Sequence, residues 1–288
     1  MDQRIIDLYD EYTHRPLERR VFLERLAMLA GSAAAALALL PILQNDYAHA
    51  AQVSPDDPGI DARRVEYAGA SGKIKGYLAR PRKGEKRRPA VIVIHENRGL
   101  NAHIEDVTRR AALAGFLALA PDCLSPVGGT PADEDQAREK IGALDKEAVV
   151  KDLVSTRRWL AEHKSSSGRV GAMGFCWGGG MVNLLAAADP DLAAGVVFYG
   201  MSPPLEKVPA IRAKMLLNYA GLDERINAGV PAYEEALKAA GVTYTLHMYD
   251  GAQHAFHNDA NAARYDAAAA ALAWKRTVEF LTGALASA

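Results

Sequence analysis

The chain has 288 residues, of which 49% are hydrophobic and 24% are charged, a balance that excludes a disordered or collagen-like protein. Its 34 basic and 35 acidic residues give a formal net charge of -1, so we expect no electrostatic surface for nucleic acid. Two cysteines, Cys123 and Cys176, exclude a disulfide scaffold and a zinc site built from several thiolates, although the count still permits one disulfide.

The first fifty residues differ in composition from the rest of the chain. Arg19 and Arg20 precede an alanine- and leucine-rich run from Leu26 to Leu43, and residues 48–50 read AHA, a small-residue cleavage site. These are the three parts of an export signal, and their pattern resembles a twin-arginine signal. We therefore predict that residues 1–50 direct the protein out of the cytoplasm through the twin-arginine export machinery, with cleavage after Ala50.

Two features depart from the usual signal, because Glu18 stands where Ser or Thr is common and about eighteen residues precede the arginine pair. Two alternatives therefore stay open for this segment. An apolar run of this length almost spans a bilayer, so the segment can be an uncleaved membrane anchor. It can also be an amphipathic or buried helix of the folded domain, in which case the protein stays in the cytoplasm.

The remainder of the chain reads as a linker over residues 51–61 followed by a single domain over residues 62–288. Buried apolar runs alternate with helix-like stretches and no second break in composition occurs, which predicts an α/β fold with a mostly parallel sheet flanked by helices. In chain order we predict a hairpin (64–68 and 73–79), then a strand (90–95), a helix (102–114), a strand (116–120), a helix (146–163), a strand (170–175), a helix (179–188), strands (194–199 and 214–220), a helix (231–240), a strand (243–249) and a helix (262–281).

The most informative segment is a strand that runs into a glycine-rich turn and then a helix. It contains the pattern GxCxG from Gly174 to Gly178, with Cys176 at its centre. In a nucleophile elbow the central residue occupies a strained turn, and the flanking glycines avoid collisions with the neighbouring backbone. The turn would also place the sulfur near a helix N-terminus, which favours the thiolate.

Two candidate partners for this cysteine follow later predicted strands. Asp223 lies in the sequence AGLDER and His254 in GAQHAF. The order Cys, Asp, His at the carboxyl ends of successive strands is that of an α/β-hydrolase triad. The alternatives are that Asp223 caps a helix, with Glu224 as rival acid, and that His257 replaces His254.

The loop after the strand 90–95 supplies further candidates. An oxyanion hole needs two backbone N–H groups, one following the nucleophile and one from this loop, and we assign them to Trp177 and Asn97. Glu96 stands at the carboxyl end of the same strand, so its carboxylate should enter the crevice that holds Cys176. A surface carboxylate is the alternative for Glu96.

The chain resembles the dienelactone hydrolase family, also called carboxymethylenebutenolidases, over about residues 65–281. Four ordered stretches carry the resemblance: HENRGLNAHIEDVTRRAALAGFLALAPD from His95, VGAMGFCWGG from Val170, GLD around Asp223 and GAQHAF around His254. The resemblance implies an α/β-hydrolase fold and hydrolysis of an ester or lactone by Cys176, Asp223 and His254, with no metal or organic cofactor. It also implies that Glu96 binds the resting thiol.

The resemblance is weaker for the residues that choose the substrate. Family enzymes that act on dienelactone hold its carboxylate with arginines, and one of these positions is Asn258 here. Arg138 is a candidate for the other arginine and Arg98 for a substitute, unless both are solvated surface residues. We therefore predict a small ester or lactone other than dienelactone as substrate.

Three other functions remain open from the sequence. The same fold supports broader esterases, thioesterases and peptidases. A non-catalytic binding protein is a second alternative. The third is a redox sensor in which Cys176 oxidises, with Cys123 as its partner. Cys123 follows a predicted buried strand, a position more typical of a cysteine that fills space in the core.

Overall fold

A computed structural model describes residues 1–47, 51–84 and 87–286 of the chain. The cleavage site expected at residues 48–50 lies outside the described residues.

The described part of the chain forms one eight-stranded sheet. Along the sheet the strands follow the order β1-β2-β4-β3-β5-β6-β7-β8. The first hairpin is antiparallel and β2 pairs antiparallel with β4, whereas β4, β3, β5, β6, β7 and β8 pair in parallel. The bounds are β1 Ile60–Ala68, β2 Lys73–Pro81, β3 Arg88–Ile94, β4 Leu117–Pro121, β5 Ser166–Phe175, β6 Ala194–Phe198, β7 Lys214–Ala220 and β8 Tyr244–Tyr249.

Helices cover both faces of this sheet, and each face has its own apolar core. The core on one face includes Val93, Phe175, Phe198 and residues of the last helix, and the core on the other includes Ile92, Val197 and Leu217. Alternate residues of the same strands thus point into opposite cores, as the pleat of a strand requires. Outside the N-terminal segment the helices are α4 Ala102–Leu113, α5 Glu134–Gly142, α6 Lys146–Glu162, α7 Trp177–Ala188, α8 Glu224–Asn227, α9 Val230–Ala239 and α10 Ala267–Leu285.

The predicted strands and the main helices are confirmed, with two differences. The short helices α5 and α8 were not predicted from the sequence. The last helix begins at Ala267 rather than Ala262, because the Asp266 side chain accepts a hydrogen bond from the Ala269 N–H and caps the helix there. An alanine-rich sequence does not itself mark where the helix begins. The cap residue Asp266 marks it.

The N-terminal segment, residues 1–47, forms three helices: α1 Gln3–His14, α2 Arg19–Ala30 and α3 Ala33–Leu43. The apolar run breaks at Gly31, whose φ of +83° ends α2, and Ser32 caps α3 by accepting a bond from the Ala35 N–H. The chain bends by 110° between the two helices. No described helix is by itself long and apolar enough to cross a bilayer, although this bent pair passes that test when its helices are taken together.

This N-terminal segment packs against the α/β domain. Tyr9, Tyr12, Phe22, Leu26 and Leu43 form a small apolar core, against which one domain alanine also packs. The Asn261 amide donates to the Leu43 carbonyl at 2.6 Å, and Arg138 donates to the Tyr12 carbonyl at 2.7 Å. Export by this segment stays a prediction, but its helices lie on the domain because their aromatic residues find partners there.

Candidate active site

The strand β5 and the helix α7 meet in a sharp turn at Cys176. Its φ of +54° lies in the left-handed region, which a non-glycine residue adopts only when the surroundings enforce it. A Cβ on Gly174 would lie 2.2 Å from the Gly178 carbonyl oxygen, and a Cβ on Gly178 would lie 2.4 Å from the carbonyl oxygens of Ile94 and His95. Both glycines are therefore required by close backbone approach, as the elbow pattern predicts.

His254 and Asp223 lie together beside this turn, in the loops that follow β8 and β7. Nδ1 of His254 is 2.5 Å from Oδ2 of Asp223, and both residues are 4% exposed. One ring nitrogen of His254 lies within 4.8 Å of Cys176 Sγ. Asp223 also accepts from the Ile226 N–H, so it orients the histidine and caps α8 at the same time.

The two rival residues occupy other surroundings. Glu224 is exposed on α8. His257 is buried and its ring stacks on Phe175 at 5.0 Å between centroids. Burial, followed by the nearby charges of Arg110 and His103, holds the pKa of His257 well below its ordinary value, so it stays neutral. Neither rival is placed to exchange a proton with Cys176.

The electrostatics favour an ion pair between the thiol and His254. Burial alone would raise the pKa of the Cys176 thiol, but the charges of His14 and His254 and the contact with His14 outweigh it and lower that pKa to about 6. Burial would lower the pKa of His254, but Asp223 and the Cys176 thiolate outweigh it and raise that pKa to about 10. Both pKa shifts favour the thiolate–imidazolium pair.

A second histidine, His14 at the end of α1, also contacts the sulfur. Its Nε2 lies 3.2 Å from Cys176 Sγ, and its Nδ1 lies 3.0 Å from Oδ1 of Asp10. Its ring meets the His254 ring edge-on at 4.6 Å. Sequence reasoning missed His14 and Asp10 because they lie in a segment that reads as a leader, where no motif connects them to the elbow.

His14, Cys176 and His254 offer three ligand atoms that lie within 4.8 Å of one another. Among the residues that the structure describes, this is the group that could hold a metal ion. Imidazole and thiolate are ligands that zinc accepts. The same donor set also suits nucleophilic catalysis, because the Asp223 carboxylate bonds His254 and the Asp10 carboxylate lies beside His14.

The predicted oxyanion-hole residues lie at the start of α7 and in the loop after β3. Trp177 begins α7, where a backbone N–H has no helical acceptor. Asn97 lies three residues beyond the end of β3, and its side-chain amide donates to the Thr13 carbonyl of α1 at 2.8 Å. The assignment of both backbone N–H groups to an oxyanion stays a prediction.

Glu96 is buried but its carboxylate does not contact the thiol. Asn258 donates to its Oε2 at 2.7 Å and the Tyr199 hydroxyl donates to its Oε1 at 3.4 Å. The resemblance implied that Glu96 binds the resting thiol, whereas here the sulfur has His14 as its hydrogen-bond partner. In this structure the hydrogen-bond partners of the Glu96 carboxylate are Asn258 and Tyr199.

The two candidate substrate arginines are engaged elsewhere. Arg98 is 6% exposed and donates to the Glu134 carbonyl at 2.9 Å, with Asp135 at 3.4 Å. Arg138 donates to the Tyr12 carbonyl, and its guanidinium lies 4.3 Å from the centre of the Tyr12 ring. Neither is a solvated surface residue, and both help to fix the segments around the site.

Cys123 and Cys176 are both free. Cys123 packs in the core on one face of the sheet and Cys176 in the core on the other. Burial, followed by the charges of Asp122 and Asp152, raises the pKa of the Cys123 thiol well above its ordinary value. Cys123 therefore fills space in its core as an inert thiol.

A family model described as "Dienelactone hydrolase family" matches residues 74–285, which include the elbow, Asp223 and His254. The chain belongs to the dienelactone hydrolase family. A putative carboxymethylenebutenolidase of Methylorubrum extorquens is 33% identical, with 91% of this chain and 94% of that protein covered. Another from Saccharolobus solfataricus is 34% identical, with 76% and 97% covered. The chain is therefore a hydrolase that acts on esters or lactones.

The fold agrees with this family. The crystal structure of a putative dienelactone hydrolase from Klebsiella pneumoniae superposes with a TM-score of 0.72 at 30% identity, covering 77% of this chain and 98% of that one. The predicted α/β-hydrolase fold is confirmed. The Methylorubrum match leaves 9% of this chain uncovered, which is less than the N-terminal segment, so part of that segment has a counterpart in that relative.

Proposed function

We propose that this dienelactone hydrolase relative cleaves small carboxylic esters or lactones through a thioester on Cys176. The observation that carries the proposal is the position of Cys176 on a strained elbow beside the Asp223–His254 pair. A nucleophile, a base within reach of it and an acid that orients the base are the elements of a covalent hydrolase.

In the first half of the reaction the Cys176 thiolate attacks the ester carbonyl carbon and forms a C–S bond. The carbonyl electron pair moves onto oxygen, where the backbone N–H groups of Trp177 and Asn97 stabilise it. When the tetrahedral intermediate collapses, the C–O bond breaks. The leaving oxygen takes a proton from the His254 imidazolium, which Asp223 holds in position.

In the second half of the reaction water attacks the thioester carbonyl. Neutral His254 accepts a proton from the water as the new C–O bond forms. The C–S bond then breaks, its electron pair returns to the sulfur, and the acid is released with Cys176 restored as thiolate.

The polar groups around the site favour a substrate without a carboxylate beside the ester. Asn258 replaces an arginine and is committed to Glu96, and Arg98 and Arg138 are bonded to other segments. No free cation is therefore offered by these three positions to a substrate carboxylate. Uncharged small esters and lactones fit better than dienelactone.

Hydrolysis of p-nitrophenyl acetate, dienelactone and an unrelated lactone by the wild type and by Cys176→Ala tests the proposal. We expect turnover of the uncharged substrates by the wild type, little turnover of dienelactone, and none of any substrate by Cys176→Ala. Turnover that survives in Cys176→Ala would contradict the nucleophile. A preference for dienelactone would contradict the substrate class.

The other functions have less support. Cys176 and Cys123 lie in different cores, so an internal disulfide switch between them has no structural basis. Thioesterase or peptidase activity on the same site is separated from esterase activity by including a thioester and a peptide p-nitroanilide in the panel.

We also propose that the protein is exported through the twin-arginine route, which moves folded proteins and so would carry a free Cys176 thiol across the membrane. Arg20 is exposed and pairs with Glu24, whereas Arg19 pairs with Asp135 of the domain. Replacement of Arg19 and Arg20 by lysine should retain the protein in the cytoplasm of fractionated cells. An unchanged location would contradict export by this route.

A further inference from the structure

The contacts of α1 go beyond those of a helix that rests on the surface. His14 Nε2 lies 3.2 Å from Cys176 Sγ, which is within hydrogen-bond distance of the sulfur. The sulfur retains only part of its surface for solvent, since Cys176 is 7% exposed. The N-terminal segment therefore meets the reacting atom itself.

Asp10, one turn before His14, places its carboxylate beside the ring of this histidine, while the hydrogen bond of Nδ1 goes to the Asp10 backbone carbonyl at 3.0 Å. Its Oδ1 lies 3.0 Å from Nδ1 of His14, while Arg225 holds its other oxygen at 3.2 Å and Arg264 lies 3.8 Å away. Burial would raise the pKa of Asp10, but the neighbouring His14, His254 and Arg225 outweigh it and lower that pKa strongly. Asp10 is therefore a carboxylate at every working pH.

We propose that, in the chain that retains residues 1–50, His14, positioned by Asp10, is a second catalytic imidazole on Cys176, so that α1 completes the active site of the proposed cysteine hydrolase. Nδ1 of His14 bonds the Asp10 backbone carbonyl and lies beside the Asp10 carboxylate, so that Nε2 faces the sulfur. Acidic and basic side chains alternate along the cluster, in the order Asp10, His14, Cys176, His254, Asp223.

This arrangement gives the two histidines different tasks. His254 exchanges protons with the leaving oxygen and with water. His14 donates a hydrogen bond to the sulfur, and this bond is strongest when the sulfur is a thiolate, that is, before attack and when the C–S bond of the thioester breaks. His14 thus stabilises both the nucleophile and the leaving group without losing its own proton, which leaves the balance of the reaction unchanged.

The test compares His14→Asn and Asp10→Asn with Asp7→Asn, an exposed residue of α1 whose side chain contacts Gln3. Two readouts are taken: kcat/KM for p-nitrophenyl acetate, and the pKa of the thiol from the pH dependence of thiolate absorbance and of alkylation by iodoacetamide. We expect His14→Asn to raise the pKa of Cys176 and to lower kcat/KM about 10- to 100-fold, consistent with the scale of single acid–base groups. Asp10→Asn should shift both in the same direction by less, and Asp7→Asn should shift neither.

The groups that face the cluster from other elements are Arg225, Arg264, His254 and Asp223, and the variants leave all of them in place. An unchanged thiol pKa and unchanged turnover in His14→Asn would contradict the proposal. A rise in turnover would also contradict it, because α1 would then be a cover that inhibits the enzyme. This inference rests on the proposed function, and the two fail separately: turnover by Cys176→Ala refutes the hydrolase mechanism, whereas Cys176-dependent turnover that ignores His14 refutes this inference alone.

Discussion

The α/β domain and the N-terminal segment place histidines on the same sulfur, but by different means. His254 lies in the loop that follows a parallel strand, where the sheet topology brings it to the elbow. His14 ends a helix that is held on the domain by Arg138, which donates to the Tyr12 carbonyl, and by Arg225, which donates to Asp10. The position of a residue that follows a sheet strand can be predicted from the order of the strands. The position of a residue on a docked helix cannot be predicted from the local sequence.

The largest loss of activity is expected when the histidine of the domain is removed. His254→Asn removes the proton carrier, and we expect kcat/KM for p-nitrophenyl acetate to fall about 10³-fold, within the range of general acid–base catalysis. His247→Asn, a change on β8 where the ring packs near Tyr249, is the control and should retain turnover. If His254→Asn costs no more than His14→Asn, the two histidines do not have the different tasks assigned to them.

The elbow can be tested through its glycines. Gly178→Ala places a Cβ 2.4 Å from two backbone oxygens, so we expect a loss of about 3 kcal/mol or more in unfolding free energy. Gly180→Ala on the same helix places a Cβ 3.6 Å from its nearest neighbour and should be neutral or stabilising by up to about 1 kcal/mol. Denaturant unfolding measures both. Equal stabilities for the two variants would contradict the tight elbow.

The pH profile sharpens the account of the ion pair. The thiolate requires a pH above the Cys176 pKa of about 6, and the imidazolium requires a pH below the His254 pKa of about 10. We expect kcat/KM to rise as the pH increases through the first value and to fall as it increases through the second. A profile that first rises near the ordinary thiol pKa would show that the two histidines do not stabilise the thiolate.

The smallest effect concerns the docking of α1. Arg138→Met removes the hydrogen bond to the Tyr12 carbonyl and the contact with the Tyr12 ring, which together contribute about 1 kcal/mol. We expect faster amide hydrogen exchange in α1 and unchanged exchange in β5. Lys275→Met, on the exposed face of α10, is the control. If the amides of α1 exchange at the same rate in Arg138→Met and in Lys275→Met, Arg138 does not stabilise the docking of α1.

The sequence contained most of the fold and part of the site. Buried strands and glycine punctuation located Cys176, Asp223 and His254, because their placement depends on the sheet alone. Glu96 was predicted as a site residue, but its hydrogen bond with Asn258 was not. That bond depends on how the buried side chains pack, which the sequence does not show. The arginine pair and the apolar run are typical of a leader, so the docking of the N-terminal helices was not the main prediction. Composition alone does not show which surface a helix packs against.

The central claim is that Cys176 forms a thioester during turnover. Rapid acid quenching of wild type with p-nitrophenyl acetate, followed by intact mass and peptide mapping, tests it most directly. We expect a transient acetyl adduct on the peptide that contains Cys176, more persistent in His254→Asn and absent from Cys176→Ala. Turnover without an adduct on that peptide, or an adduct confined to another residue, would contradict the account.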